Sequence, residues 1–197
     1  TDVGGIYMWD SVNFDYERKL TDQQCNPHES DCHISDVGHS VATDGNYILG
    51  SAFDGTTPVG SGPWVAFVFR ASDGQFLHRL EPTGTVCQKI DGVDIAGNIA
   101  IVGCQRLSSE TSSVLVYDTS NNFNLLRTIN APQESFSQVF ADNVATNGVQ
   151  LIATNTVTSV TRQRVYGFDA ITGTSLYTLK SPNNRGGFGN AVDMDGN

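Results

Sequence analysis

The sequence has no cluster of basic residues anywhere along its 197 positions. Eleven Lys and Arg stand against 21 Asp and Glu, a formal net charge of −10. Nucleic-acid binding needs grouped cations to neutralise phosphates, so that partner class is excluded. An acidic surface also repels anionic membranes, and the charge reads as a device for solubility. No apolar run approaches the roughly 20 residues that cross a bilayer, so direct membrane insertion is not expected. Runs of Ala, Leu, Glu and Lys at helical spacing are missing too. What remains, rich in aliphatic, aromatic, Thr, Ser, Gly and Asn residues, favours strands and turns. None of the 15 asparagines begins an Asn-x-Ser/Thr sequon, so N-glycosylation within the chain is not expected. No signal peptide is read: residue 1 is Thr, and "GGIYMWD" already has the pattern of a strand. The expectation is that a leader has been removed or that the chain begins inside a larger protein.

Two phrases recur. The first is "IYMWDSVNFDYERKL" (6–20), "FVFRASDGQFLHRL" (67–80), "LVYDTSNNFNLLRTI" (115–129) and "VYGFDAITGTSLYTL" (165–179). Each copy is an apolar strand ending in an aromatic (Trp9, Phe69, Tyr117, Phe168) followed by a charged residue (Asp10, Arg70, Asp118, Asp169). A turn and a second strand ending in Leu or Ile complete it. These strands are named C and D. The second phrase is "SVATDGNYILGSA" (40–52), "VDIAGNIAIVGC" (93–104) and "NVATNGVQLIATN" (143–155), with a shorter copy, "AVDMDGN", at 191–197. Asp44-Gly45, Ala96-Gly97, Asn147-Gly148 and Asp195-Gly196 mark tight two-residue turns between strands A and B. Their glycines lie 52, 51 and 48 residues apart.

A four-strand unit repeating about every 50 residues is the signature of a β-propeller blade. The expected fold is all-β: a propeller of four-stranded antiparallel blades, three complete (38–80, 91–129, 142–179) and one split and incomplete (5–20 with 189–197). Neighbouring blades cover both faces of each sheet, which accounts for strands such as Val65–Phe69 that are apolar on both sides. "VGHSVATDGNYILGSAFDG" and "GGFGNAVDMDGN" resemble FG-GAP repeats, the blades of integrin-α-like propellers. The Phe-Gly pair stands at Phe188-Gly189 and in degenerate form at Val37-Gly38 and Asp91-Gly92. The "GAP" position reads Gly50-Ser51-Ala52 and Gly103-Cys104-Gln105. The resemblance implies a propeller and no single chemistry.

The split blade has strands C and D at the start of the chain and strand A at the end, but no strand B. Strands A and C would then expose backbone groups that need partners. Three explanations stand: a fragment of a longer propeller, an assembly in which another chain supplies the pairing, or an unanticipated closure.

Four cysteines, Cys25, Cys32, Cys87 and Cys104, suggest two disulfides and an oxidising, extracellular setting. In a propeller the D-to-A connections share a face with the B-to-C loops, which favours Cys25–Cys32 and Cys87–Cys104. "CNPHESDCH" (25–33) also gathers zinc-type ligands, but not at finger or knuckle spacing. Integrin-like calcium loops are not reproduced: "AFDG" (52–55) and "DMDGN" (193–197) supply too few carboxylates, and Asp193 and Asp195 read as turn residues. No metal and no cofactor is expected.

Catalysis is not expected either. His28, His33, His39 and His78 are the only candidate general bases. His39 stands at the start of a strand A, near the axis, and His78 on the outer strand D, facing solvent. The tryptophan-bearing repeat of quinone-dependent dehydrogenases is missing. "RLSSETSSV" (106–114) and "TNTVTSVTR" (154–162) read as polar B-to-C loops or as carriers of O-glycans. The working surface is expected on the loop face (21–36, 53–63, 81–90, 105–113, 130–140, 155–163, 180–188). Its contact residues would be Phe53, Trp64, Arg106, Phe136 and Arg162, because aromatic and Arg side chains dominate interface energetics. The reading is a secreted or cell-surface module without catalytic function, binding proteins, glycans or copies of itself. A filament subunit joined through the incomplete blade is one alternative. A hydrolase or lyase is the other.

Overall fold

The computed structural model describes residues 5–10, 12–13, 15–20, 34–35, 37–54, 63–81, 87–106, 111–132, 140–156, 163–182 and 186–195. The chain is a β-propeller built from consecutive antiparallel sheets. β1 (Ile6–Trp9) and β2 (Tyr16–Leu20) form a hairpin. The next sheet holds β3 (Ile34–Ser35) and β4 (Val41–Thr43), both paired to β5 (Tyr47–Asp54), then β6 (Trp64–Arg70) and β7 (Phe76–Leu80). A second runs β8 (Val93–Ala96), β9 (Ile99–Cys104), β10 (Ser113–Asp118), β11 (Asn124–Asn130). A third runs β12 (Phe140–Thr146), β13 (Gln150–Asn155), β14 (Arg164–Asp169), β15 (Ser175–Lys180).

The recurring phrase has a structural cause. Each C–D pair shifts register immediately before the aromatic, at Met8/Trp9, Val68/Phe69, Val116/Tyr117 and Gly167/Phe168. The acidic residue that follows closes the turn. Asp10 Oδ1 accepts from the backbone N–H of Val12 and Asn13, and Asp169 Oδ1 from Ile171 and Thr172. Asp118 does the same for Ser120. In the copy with Arg70, Asp73 takes over, accepting from Gln75 N and pairing with the Arg70 guanidinium.

The A–B turns depart from the expected uniform two-residue hairpin. Pairing ends at Ala96↔Ile99 in the second sheet, a two-residue loop, but at Thr43↔Ile48 and Thr146↔Leu151 in the others. The wider loops are held by side chains that Ala96 lacks. Asp44 Oδ1 accepts from Asn46 N and Tyr47 N, and Asn147 Oδ1 from Val149 N and Gln150 N.

The cores lie between sheets. The first hairpin covers Phe67 and Phe69 with Ile6 and Leu20. Ala66, Val68 and Leu80 meet Leu115 and Tyr117 at the next junction, and Val114, Val116 and Ile129 meet Tyr166 and Phe168 at the third. Burying each large side chain completely contributes about 2–3 kcal/mol. Phe188, Val192 and Met194 pack on the outer face of the last sheet, against Ala145, Ile152 and Val165. Among the described residues this segment forms no strand pairing with the first hairpin.

Candidate functional site

The inner strands begin at one recurring kink. Gly38 (φ 87°), Ala141 (φ 66°) and Gly189 (φ 84°) hold left-handed backbone immediately before His39, Asp142 and Asn190. For Ala141 this conformation costs about 1–2 kcal/mol. His39, Asp91, Asp142 and Asn190 each stand six residues ahead of an A–B turn glycine, so successive blades present them at one position. Asp91-Gly92, matched above to the Phe-Gly pair, falls two residues out of that register, and Gly92 has no left-handed φ.

Three of these side chains, His39, Asp91 and Asp142, are linked. His39 Nε2 lies 2.9 Å from Asp91 Oδ1, and Lys89 Nζ lies 2.6 Å from Asp91 Oδ2. The buried Gln105 amide donates to Asp91 Oδ2 at 3.0 Å and to Asp142 Oδ1 at 2.5 Å, bridging two blades. Gln105 is fixed by its own backbone: Gln105 N donates to Lys89 O and Gln88 N donates to Gln105 O, both at 2.9 Å. The Cys87–Cys104 disulfide clamps the same two segments. On the other side the His39 ring stands edge-on to Trp64 at 5.2 Å, and Phe53 packs on Trp64 at 6.0 Å. An aromatic ledge therefore runs directly into a carboxylate–amide cluster. Such a surface holds hydroxyl, amide or cationic groups against a flat apolar wall.

Burial, with the Asp91 charge adding to it, pushes the Asp142 carboxyl up to about 6, against the opposing effect of Lys89. A raised folded value means that stability is fully present below the unfolded value of 3.8 and is lost as pH rises through 6. Because Asp142 is only half-buried, the loss is screened to about 1–2 kcal/mol. The substitution Asp142→Asn is therefore expected to stabilise the protein by that amount near pH 7.5 and to change nothing near pH 4, read from urea titrations at both. Equal effects at the two pH values would show that the Asp142 charge is not the cause. A second carboxylate, Asp94, accepts from Thr146 N at 2.7 Å across the blade junction and is raised chiefly by burial. Its role is to tie the inner strands together.

Of the residues selected from sequence, Phe53 and Trp64 come together beside His39. Arg106 is half-buried, and its backbone N–H donates to Ser112 Oγ at 3.0 Å. Cys25, Cys32, Phe136 and Arg162, like His28 and His33, lie outside the described residues. His78 is not simply solvated as expected. Its ring packs at 5.1 Å on Phe123 of the next blade, and burial lowers its pKa. Asp91, Gln105 and Asp142 escaped the sequence reading, although the six-residue offset from the turn glycine was available as a signal. Among the described residues no three His, Cys, Asp or Glu side chains are grouped to hold a metal ion. No helix among them is long and apolar enough to cross a membrane.

No family model matches the chain, and no curated protein matches it. Solved structures do. Hydrazine synthase from Kuenenia stuttgartiensis is similar over 88% of this chain and 42% of its own, with TM-score 0.59 and 14% identity. A chain of the mitotic checkpoint complex matches over 89% of this chain and 44% of its own, at TM-score 0.54 and 12% identity. The Dos1 propeller matches over 89% and 42%, at TM-score 0.53 and 13% identity. Identity this low carries the fold alone. The chain spans less than half the length of each.

Proposed function

We propose that this propeller is an extracellular or cell-surface binding module of FG-GAP, integrin-like type, without catalytic function, that takes a protein or glycan ligand where its inner strands begin. The observation that carries the reading is the continuity of the Phe53–Trp64–His39 ledge with the Asp91–Gln105–Asp142 cluster. Aromatic faces supply contact area at low entropic cost, and the fixed carboxylates and amide supply direction. The Cys87–Cys104 bond supports an oxidising compartment and stiffens the rim, which lowers the ordering cost of binding. One similar chain was solved inside a protein complex, in keeping with a protein partner.

The test is an array of oligosaccharides and extracellular matrix proteins probed with the native chain and with Trp64→Ala and Asp91→Ala. Trp64→Ala is expected to weaken capture at least ~30-fold, as truncation of a central aromatic anchor does. Capture that survives both substitutions, or no capture by any probe, would remove this reading. A hydrolase is the second reading, favoured by one observation: a carboxyl titrating near 6 beside a second carboxylate suits general acid–base work. Turnover of chromogenic esters or glycosides that disappears in Asp142→Asn would put it first.

A further inference from the structure

The junctions between blades differ where the A–B turns face each other. Between the β8–β11 and β12–β15 sheets these turns touch. A Cβ on Gly148 would stand 2.9 Å from Ala96 O, and one on Gly97 3.8 Å from Gly148 Cα. Between the β4–β7 and β8–β11 sheets they stand apart, and a Cβ on Gly45 would meet nothing within 4 Å. The gap is an open groove of about 450 Å³, a volume in the range of small-molecule sites. One wall is formed by residues 44–47 with Arg70 and Ser72, the other by Gly97, Asn98, Thr119 and Ser120.

Both walls are held from within their own sheets. Ala71 N donates to Asn46 O at 2.8 Å and Thr119 N to Asn98 O at 3.0 Å, so each A–B turn is tied to its C–D turn. The half-buried Tyr47 ring stands edge-on to Phe123 at 5.1 Å, and Phe123 also packs on His78. Phe123 belongs to a C–D turn one residue longer than the others, spanning Tyr117↔Leu125 against Phe69↔Phe76 and Phe168↔Ser175. Asn122 and Phe123 both take left-handed backbone there, φ 55° and 54°, which residues other than glycine seldom do. Strain of this kind gathers at ligand sites. The polar groups on the walls are unused. Asn46, Ser72 and Asn98 are exposed, and no side-chain hydrogen bond engages them among the described residues. Asp44 accepts from Asn46 N and Tyr47 N through Oδ1 and leaves Oδ2 open. Arg70 donates to Asp73 and Gln75 through Nη1 and leaves Nη2 open.

We infer that this groove binds a neutral sugar. It lies at the opposite end of the inner strands from the Phe53–Trp64–His39 ledge, and the inference does not depend on that ledge. The wall groups mix acceptors (Asp44 Oδ2), donors (Arg70) and groups that do both (Asn46, Ser72, Asn98). Adjacent hydroxyls, each donor and acceptor at one atom, match such a set. Asp44 and Arg70 carry opposite charges on one wall, so a charged ligand would meet a like charge as well as an opposite one. An apolar ligand would strip water from these groups and return no hydrogen bond. An extended peptide needs a free strand edge, and the walls are turns. Because the walls are held before the ligand arrives, little ordering cost falls on binding.

Saturation-transfer NMR with a panel of neutral methyl glycosides and the matching free sugars, at millimolar concentrations, tests this. At least one member is expected to bind. Ser72→Ala and Asn98→Ala alter exposed side chains without partners, so each is expected to keep the native melting curve while affinity falls about 5-fold, the loss of one hydrogen bond. Val149→Ser, on the A–B turn of the β12–β15 sheet, is expected to change nothing. Tighter binding of the methyl glycosides assigns the groove to a glycan, and tighter binding of the free sugars to a soluble sugar; both support the site. No binding across the panel overturns the inference. Binding that survives Ser72→Ala and Asn98→Ala but is lost in Trp64→Ala overturns it as well, because the sugar then sits on the ledge. An N-acetyl amino-acid amide that binds in place of every sugar would overturn the ligand class.

Discussion

Gly103→Ala is expected to remove ~3–5 kcal/mol, much of the 5–15 kcal/mol that holds a typical domain. Gly103 lies at the end of β9, where a Cβ would collide with the Ala141 carbonyl oxygen of the next blade and press on Gly92 O at 3.3 Å. All the opposing atoms are backbone, so no side chain can swing aside. The backbone cannot easily yield either. Gly103 N donates to Gly92 O at 2.9 Å, and Ala141 is held in left-handed conformation between Phe140, which is fully buried, and the half-buried Asp142. The damage should reach the candidate site, because Gln105 and Asp142 flank this contact. Gly45→Ala is the control. Its φ of 89° is strained for alanine, but nothing lies within 4 Å, so only about 1 kcal/mol should be lost. Urea denaturation of both variants is the measurement, and a loss at Gly103 no larger than at Gly45 would mean that the interblade contact gives way at little cost.

Removing the Cys87–Cys104 bond is expected to cost about 3 kcal/mol, the chain-entropy value for a loop of this size. The loop encloses β8 and β9, the inner half of the middle blade. Without the bond, the Gln88–Lys89 segment still meets Gln105 through its backbone hydrogen bonds. The double substitution Cys87→Ala/Cys104→Ala avoids burying hydroxyls at two positions of 0% exposure. It is expected to lower the melting temperature by several degrees. It should also loosen Gln105, so that any ligand affinity falls with stability. A melt indistinguishable from the native protein's would show that the strand pairing alone holds this segment.

Much of the architecture was legible before any coordinates. Aromatic residues at Trp9, Phe69, Tyr117 and Phe168 announced a repeat because each sits at the same register shift between strands C and D. The Asp that follows was legible as turn chemistry, since a carboxylate two or three residues ahead of free N–H groups closes a turn from local geometry alone. The A–B turns at Gly45, Gly97 and Gly148 were located correctly from their glycines, but the lengths of the first and third were not, and the turn expected at Asp195-Gly196 reaches beyond the described residues. Loop width depended on whether Asp44 or Asn147 could accept two N–H bonds where Ala96 could not.

The candidate site was legible in part. Phe53 and Trp64 were selected for their type, and His39 for its place near the axis. Asp91, Gln105 and Asp142 were not, because each is unremarkable in its own stretch and gains meaning only from residues 14 to 52 positions away. His78 was misplaced for the same reason: strand alternation sent it outward, and only the neighbouring blade supplies Phe123 to cover it.

Sequence alone thus determined strands A to D of the three complete blades, their order and the repeat, since period, turn residues and the apolar character of both sheet faces are local properties of the chain; β3 and the absence of a strand over 186–195 were not legible in it. The tertiary structure alone decided which polar groups share a proton-bearing cluster and which glycine faces a neighbouring backbone. Those features arise between blades, where burial and charge come from residues about 50 positions apart, and no local pattern encodes that contact.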